Sequence, residues 1–212
     1  MGQAGVRVGP DGRPRCPWAL DTPDYLDYHD REWGRPLRGD DALFERLSLE
    51  AFQSGLSWLT ILRKREAFRA AFHRFSIPAV AAFGPADVAR LLADAGIVRN
   101  RAKIEATVAN ARAALELDGG LSELLWSFAP PPSRSRPAGR AEVPASTSES
   151  VAMARGLRQR GFRFVGPTTS YALMQATGMV DDHLSSCWVT GSSLNNPRGP
   201  TTGPPGQPNR RG

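Results

Sequence analysis

Cysteine is scarce in this chain. Cys16 and Cys187 are the only two, too few for a disulfide framework. Long apolar runs are missing too. None approaches the ~18 residues a membrane-spanning helix needs, and the opening MGQAGVRVGPDGRPR lacks the apolar core of a secretion signal. The expectation is a cytoplasmic protein with reduced thiols, which argues against even a single Cys16–Cys187 bridge. Nor does any strand pair, β-hairpin or internal repeat stand out.

What is present begins with a basic balance: a net charge of +6 and a pI near 10.1. Residues 1–15 carry +2, and residues 130–140 and 191–212 carry +3 each, so the rest of the chain is at −2. The excess lies in stretches rich in Gly, Pro and small polar residues, so bulk pI says little about DNA binding and local clusters must carry that argument. The same stretches set the expected organisation. A disordered basic tail covers 1–14 and a single domain covers 15–190, with a mobile surface loop at about 130–140. A disordered Pro/Gly-rich tail covers 191–212.

Between the tails the pattern is helical, and the predicted fold is all-α. Thr22-Pro23 caps a short helix running through Tyr28 and His29. Asp40 or Asp41 caps a helix with Leu43, Phe44 and Leu47 on one stripe. Pro85 opens a helix over 85–94, and Gly96 precedes a longer one over about 100–117. Ser146-x-x-Glu149 reads as a capping box for a helix ending near Gly161. Gly166-Pro167 starts another that closes at Gly178.

Several groupings can carry chemistry. Each cysteine is spaced against a histidine, as Cys16-x12-His29 and His183-x3-Cys187. Two Cys and two His make a tetrahedral zinc set that would tie the first ordered residues to the last. The first spacing is wider than common zinc-finger spacings, so two cysteines buried as small hydrophobes remain the alternative. Glu50 lies about 20° from Leu43 and about 60° from Leu47 around its helix, at the edge of the apolar stripe. It is either a solvated edge acid or a half-buried carboxylate in a pocket. Gln53 follows one turn on, then the apolar tip Gly55-Leu56. Trp18, Tyr28, Trp33 and Trp58 surround Glu50 in sequence. Such rings usually pack a core, but with a carboxylate among them they can sandwich a flat heterocycle bearing an exocyclic amine. RQRGFRFVGPTT at 158–169 turns between two helices, and its first-turn amides, Thr168, Thr169, Arg160 and Arg163 could hold a DNA phosphate. An ordinary helix corner is the plain alternative. Arg99, Arg101 and Lys103 in GIVRNRAKI make a second such strip, or a solvated face.

Taken together, RCPWAL, YHDREWG, LFERLSLEAFQSGLSWLTILRKRE, DAGIVRNRAKIEATVANARA, LWSF, RGFRFVG and YALMQATGMVDDH resemble the DNA-3-methyladenine glycosylase I family of helix-hairpin-helix glycosylases. The likeness runs collinearly over about residues 15–188. It implies one structural zinc held by Cys16, His29, His183 and Cys187, joining the N- and C-terminal segments. It also implies a base pocket in which Glu50 and Tyr28 discriminate, with Trp18, Trp33, Gln53 and Trp58 as further base contacts. Gly55 and Leu56 would fill the gap left in the duplex, while Arg163, Gly166, Thr168 and Thr169 grip the backbone. The best-known relatives resemble V-N-D-H where this chain has Val180-Asp181-Asp182-His183. Asp181 is therefore a candidate catalytic acid, or simply a surface acid beside a zinc ligand. Lys64 and Lys103 are the only lysines and neither follows the hairpin, so no amine is placed for lyase chemistry. The implied function is monofunctional excision of 3-methyladenine from double-stranded alkylated DNA by a monomer with no obligate protein partner and no membrane. The rival is a zinc-stapled helix-hairpin-helix module that binds damaged DNA and cuts no bond.

Overall fold

The computed structural model describes residues 5–131 and 135–190. The tail expected at 191–212 and part of the loop expected at 130–140 fall outside the described residues.

Nine α-helices form among these residues: α1 (Pro23–Arg31), α2 (Asp40–Gln53), α3 (Trp58–Ala71), α4 (Ile77–Ala81), α5 (Pro85–Ala93), α6 (Arg101–Leu115), α7 (Gly120–Trp126), α8 (Ser148–Gln159) and α9 (Pro167–Ala176). The all-α prediction holds for the helices, with one departure, a short strand pair. Arg7–Val8 (β1) pairs antiparallel with Pro14–Arg15 (β2), a ribbon that, Arg15 aside, lies within the stretch read as a disordered tail, where no strand pair was expected. Two residues per strand are too few for an alternating pattern to show.

Most starts follow their caps. Thr22 Oγ1 accepts from Tyr25 N at 3.2 Å to open α1, and Asn100 Oδ1 accepts from Lys103 N at 3.1 Å to open α6. Two expected caps shift. Gly39 is the N-cap of α2, and Asp40 and Asp41 stand in its first turn. Their carboxylates accept from Ser122 N and Ile77 N, each at 2.8 Å, and so fix the entries of α7 and α4. For α8 the reciprocal cap is Thr147 with Ser150, one residue beyond the expected Ser146 and Glu149.

The centre of the molecule is α2, which buries Leu43, Phe44, Leu47, Leu49 and Phe52 completely. A helix covered on nearly every side hides its polar residues as well, so Arg46 and Glu50 are also buried. The hairpin between α8 and α9 is anchored by Asn110 of α6, whose amide donates to Arg163 O at 3.1 Å and accepts from Arg163 N at 2.7 Å. Phe162 and Val165 point into the core on either side of that anchor.

Candidate active site

A cavity of about 360 Å³ opens where α1, α2, α3 and α9 converge, a size suited to a small ligand. Trp18, Tyr28, Trp33 and Trp58 line it together with Glu50 and Gln53. The structure thus brings together all six residues that the sequence assigns to a base pocket. The rings are locked edge to face, with Trp18 5.2 Å from Trp33 at 83° and 5.7 Å from Tyr25 at 86°. Tyr28 lies tilted 5.4 Å from Trp58.

Glu50 is 5% exposed and accepts no hydrogen bond among the described residues, which is rare for a buried carboxylate. Burial pushes its carboxyl up to about 7, with the nearby Arg46 pulling the other way. Arg46 stands one turn earlier and donates to Tyr28 Oη at 3.2 Å and to Glu32 Oε2 at 3.3 Å. Burial also raises Tyr28 above the usual phenol range, against the pull of Arg46, so its hydroxyl keeps its proton.

Five lining residues escaped the sequence reading: Asp21, Tyr25, Arg140, Ala172 and Gln175. Gln175 stands one turn beyond Tyr171 on α9, and both donate to the buried Asp182 Oδ2, at 2.9 and 2.5 Å. That i, i+4 pair opposite Asp182 was the available signal. Arg140 lies in the Gly- and Pro-rich stretch read as a mobile loop, and nothing in its neighbourhood marked it.

The connection from α2 to α3 carries the expected tip. Gly55 adopts a φ of +82° and Leu56 is 41% exposed, between the lining residues Gln53 and Trp58. Lys103 does not belong to a solvated basic strip. It is buried, and its ammonium donates to Phe52 O at 2.9 Å and Ser54 O at 2.5 Å, satisfying carbonyls at the end of α2. Arg99 is exposed, and Arg101 pairs with Glu105 at 3.2 Å. At the hairpin, Arg163 and Thr168 are exposed and Gly166 caps α9, with Thr169 half-buried.

Cys16, His29 and Cys187 form a second centre. Their ligand atoms lie within 4.8 Å of one another, and all three residues are buried. The cysteines are free thiols, not a bridge. The His183 ring lies 5.0 Å from that of His29, and its Nε2 is buried with no hydrogen-bond partner among the described residues. The other nitrogen of each ring meets a carboxylate, His29 Nδ1 with Asp30 Oδ1 and His183 Nδ1 with Asp181 Oδ1, both at 2.8 Å. Two imidazoles oriented in this way beside two thiols fit a thiophilic divalent cation. The path of the chain accommodates them closely. Gly34 has a φ of +74°, and a Cβ there would fall 2.6 Å from the His183 ring.

Asp181 does not join the cavity. Its Oδ1 is on His183 and its Oδ2 lies 3.5 Å from Arg136 Nε, so it faces the Cys/His cluster. Asp182, which the sequence singled out for no role, is the acid that reaches the cavity wall, through Gln175.

Comparison with known proteins agrees with this geometry. The methyladenine glycosylase family profile matches residues 18–190. The DNA-3-methyladenine glycosylase 1 of Escherichia coli K12 is 46% identical over 177 residues, which cover 82% of this chain and 95% of that protein. A crystal structure of 3-methyladenine DNA glycosylase I superposes with a TM-score of 0.79 at 44% identity, covering 82% of this chain and 98% of the other. A Staphylococcus aureus glycosylase described for its recognition of 3-methyladenine gives a TM-score of 0.78 at 37% identity, covering 82% and 94%. By sequence and by fold, the chain belongs to the methyladenine glycosylase family.

Proposed function

We propose that this protein is a monofunctional DNA glycosylase that extrudes 3-methyladenine from alkylated double-stranded DNA and hydrolyses its N-glycosidic bond, acting in base-excision repair as a cytoplasmic monomer. One observation carries the reading. A buried carboxylate without a hydrogen-bond partner among the described residues, Glu50, stands in an aromatic cavity. Such a group is costly for folding alone and suits a ligand that brings donors and positive charge. Methylation at N3 makes adenine cationic, which weakens its bond to deoxyribose and makes it a good leaving group. Glu50 accepts from the exocyclic amine and balances the charge, while the neutral Tyr28 hydroxyl supplies a fixed dipole beside it. Trp18, Trp33 and Trp58 hold the ring, and Gln53 and Gln175 furnish further amide contacts. Extrusion costs a few kcal/mol and least for a damaged base, with the Gly55-Leu56 tip filling the vacated stack. Gly166, Thr168, Thr169 and Arg163 at the hairpin hold backbone phosphate.

Zinc fits Cys16, His29, His183 and Cys187, and its role here is structural, since four protein ligands leave no position open for a water. Asp181 is assigned to orienting His183 rather than to the glycosidic bond. Both lysines are engaged with backbone carbonyls, Lys103 at the end of α2 and Lys64 on Ala95 O and Gly96 O at 3.0 Å. This supports hydrolysis without a lyase step. The rival, a binder that cuts no bond, has no use for a base-sized cavity with a perturbed carboxylate at its wall.

The test is mass-spectrometric detection of free bases released from methylated duplex, with the parent and Glu50→Gln side by side. Release of 3-methyladenine by the parent and little or none by the variant is expected. A folded, zinc-loaded parent that releases none refutes the reading.

A further inference from the structure

Among the described residues that line the cavity, Arg140 is the only cation. The side chain is exposed, and its guanidinium has no hydrogen bond or ion pair within the described residues. Arginines in the N-terminal half of the chain are committed to acids instead. Arg46 and Arg65 reach Glu32 at 3.3 and 2.5 Å, Arg7 meets Asp21 at 2.9 Å, Arg63 meets Asp24 at 2.9 Å and Arg15 meets Asp30 at 2.8 Å.

The backbone beneath Arg140 is firmly held. Glu142 Oε2 accepts from Ala138 N at 2.8 Å, and Arg140 O accepts from Val143 N at 3.2 Å. Pro137 O accepts from Ser185 N at 2.8 Å. Arg136 donates to His183 O at 3.0 Å and Val189 O at 2.7 Å. The turn bearing Arg140 is thus stapled to the segment that carries His183 and Cys187. An unpaired fork of donors on a fixed backbone, at the edge of a cavity whose other charged groups are Asp21 and Glu50, is arranged to receive an anion from outside. When a cationic base occupies the interior, the phosphodiesters of its nucleotide remain at that edge.

We propose that Arg140 is a positioning residue that binds a backbone phosphate flanking the extruded nucleotide and so helps hold that nucleotide at the cavity. The inference rests on the glycosylase reading for its ligand and adds a site to it.

The experiment measures affinity for a duplex carrying a non-cleavable abasic-site analogue between about 50 and 200 mM salt. It uses the parent, Arg140→Gln and Arg140→Lys, with single-turnover release from methylated duplex measured alongside. Loss of one phosphate contact lowers the slope of log affinity against log salt by about 0.9, so the parent's advantage over Arg140→Gln shrinks about 3.5-fold across that range. Arg140→Lys keeps the slope, because a point charge still replaces a counterion, but binds more weakly for want of the fork. In excision the Arg140→Gln loss falls on the half-saturating concentration rather than on the maximal rate. A slope equal to the parent's, or a loss confined to the maximal rate, overturns the proposal. If the parent releases no 3-methyladenine but the slope still falls, the glycosylase reading fails and the phosphate contact stands.

Discussion

Glu50 should make the protein less stable at the pH where it works. Its folded carboxyl titrates near 7 against an ordinary value of 4.5. The folded protein therefore holds that proton more tightly than the unfolded chain does. The associated stability is complete below about pH 4.5 and drains away as the pH rises, levelling off above about 7. A shift of this size corresponds to about 3 kcal/mol. Glu50→Gln, which cannot ionise, should match the parent near pH 4.5 and exceed it by up to about 3 kcal/mol at pH 8, with the gap opening at no more than about 1.4 kcal/mol per pH unit. Urea unfolding of both proteins across this interval measures the difference, and titration of the Cys/His cluster cancels in the comparison. Excision by the parent should rise over the same interval, because the ionised carboxylate is the form that accepts from the amine. Parallel stability profiles for the two proteins would refute the idea that burial strains this carboxyl.

Three further outcomes are expected. Lys103→Met should lower unfolding stability by about 2 kcal/mol, because it leaves the Phe52 and Ser54 carbonyls without their charged donor. A thermal or urea scan indistinguishable from the parent's would place Lys103 in solvent after all. At the Cys/His cluster, Cys187→Ser should reduce stability more than turnover per folded molecule, and a chelator should reproduce the loss in the parent. Asp181→Asn should weaken zinc about 10- to 100-fold while single-turnover excision by the zinc-loaded protein stays near parental. Failure of excision with zinc retained would return Asp181 to the reaction itself.

How far the sequence could be read depended on the range of the interactions involved. The starts of α1, α6 and α9 are set by a cap or a proline within one turn, and one turn of sequence is enough to see them. Asp40 and Asp41 failed as caps because each is used at long range, on Ser122 and Ile77. A carboxylate that spans that separation looks in sequence like any first-turn acid. Lys103 was misjudged for the same reason. Its charge suggests solvent, and only the end of α2 passing beside it explains its burial. The cavity residues came through the resemblance and the clustering of aromatics, which left Glu50 between an edge acid and a pocket carboxylate. What decides between those is that α2 is covered on nearly all sides, a property of packing with no periodic signature. Arg140 and Gln175 enter the cavity from the distant end of the chain, where spacing to Glu50 carries no information.

The two centres, the Cys/His cluster and the aromatic cavity, share their scaffolding residue by residue. Tyr28 of the cavity and His29 of the cluster are neighbours on α1. Trp18 follows Cys16 by two positions and meets the His29 ring edge-on at 5.2 Å. Trp33 lines the cavity while stacking on His29 at 6.3 Å and contacting His183 edge-on at 4.6 Å. On the far side, the turn bearing Arg140 hangs from His183 and Val189. Glu50 and Gln53, by contrast, stand on α2, which the main core fixes without help from either terminal segment. The cavity therefore has one wall held by hydrophobic burial and another held by the cluster. On the proposed reading, loosening the cluster would displace Trp18, Trp33 and the turn bearing Arg140 while leaving Glu50 in place. A cation held by that cluster, as proposed, would thus govern how well a base is gripped without taking any part in breaking the glycosidic bond.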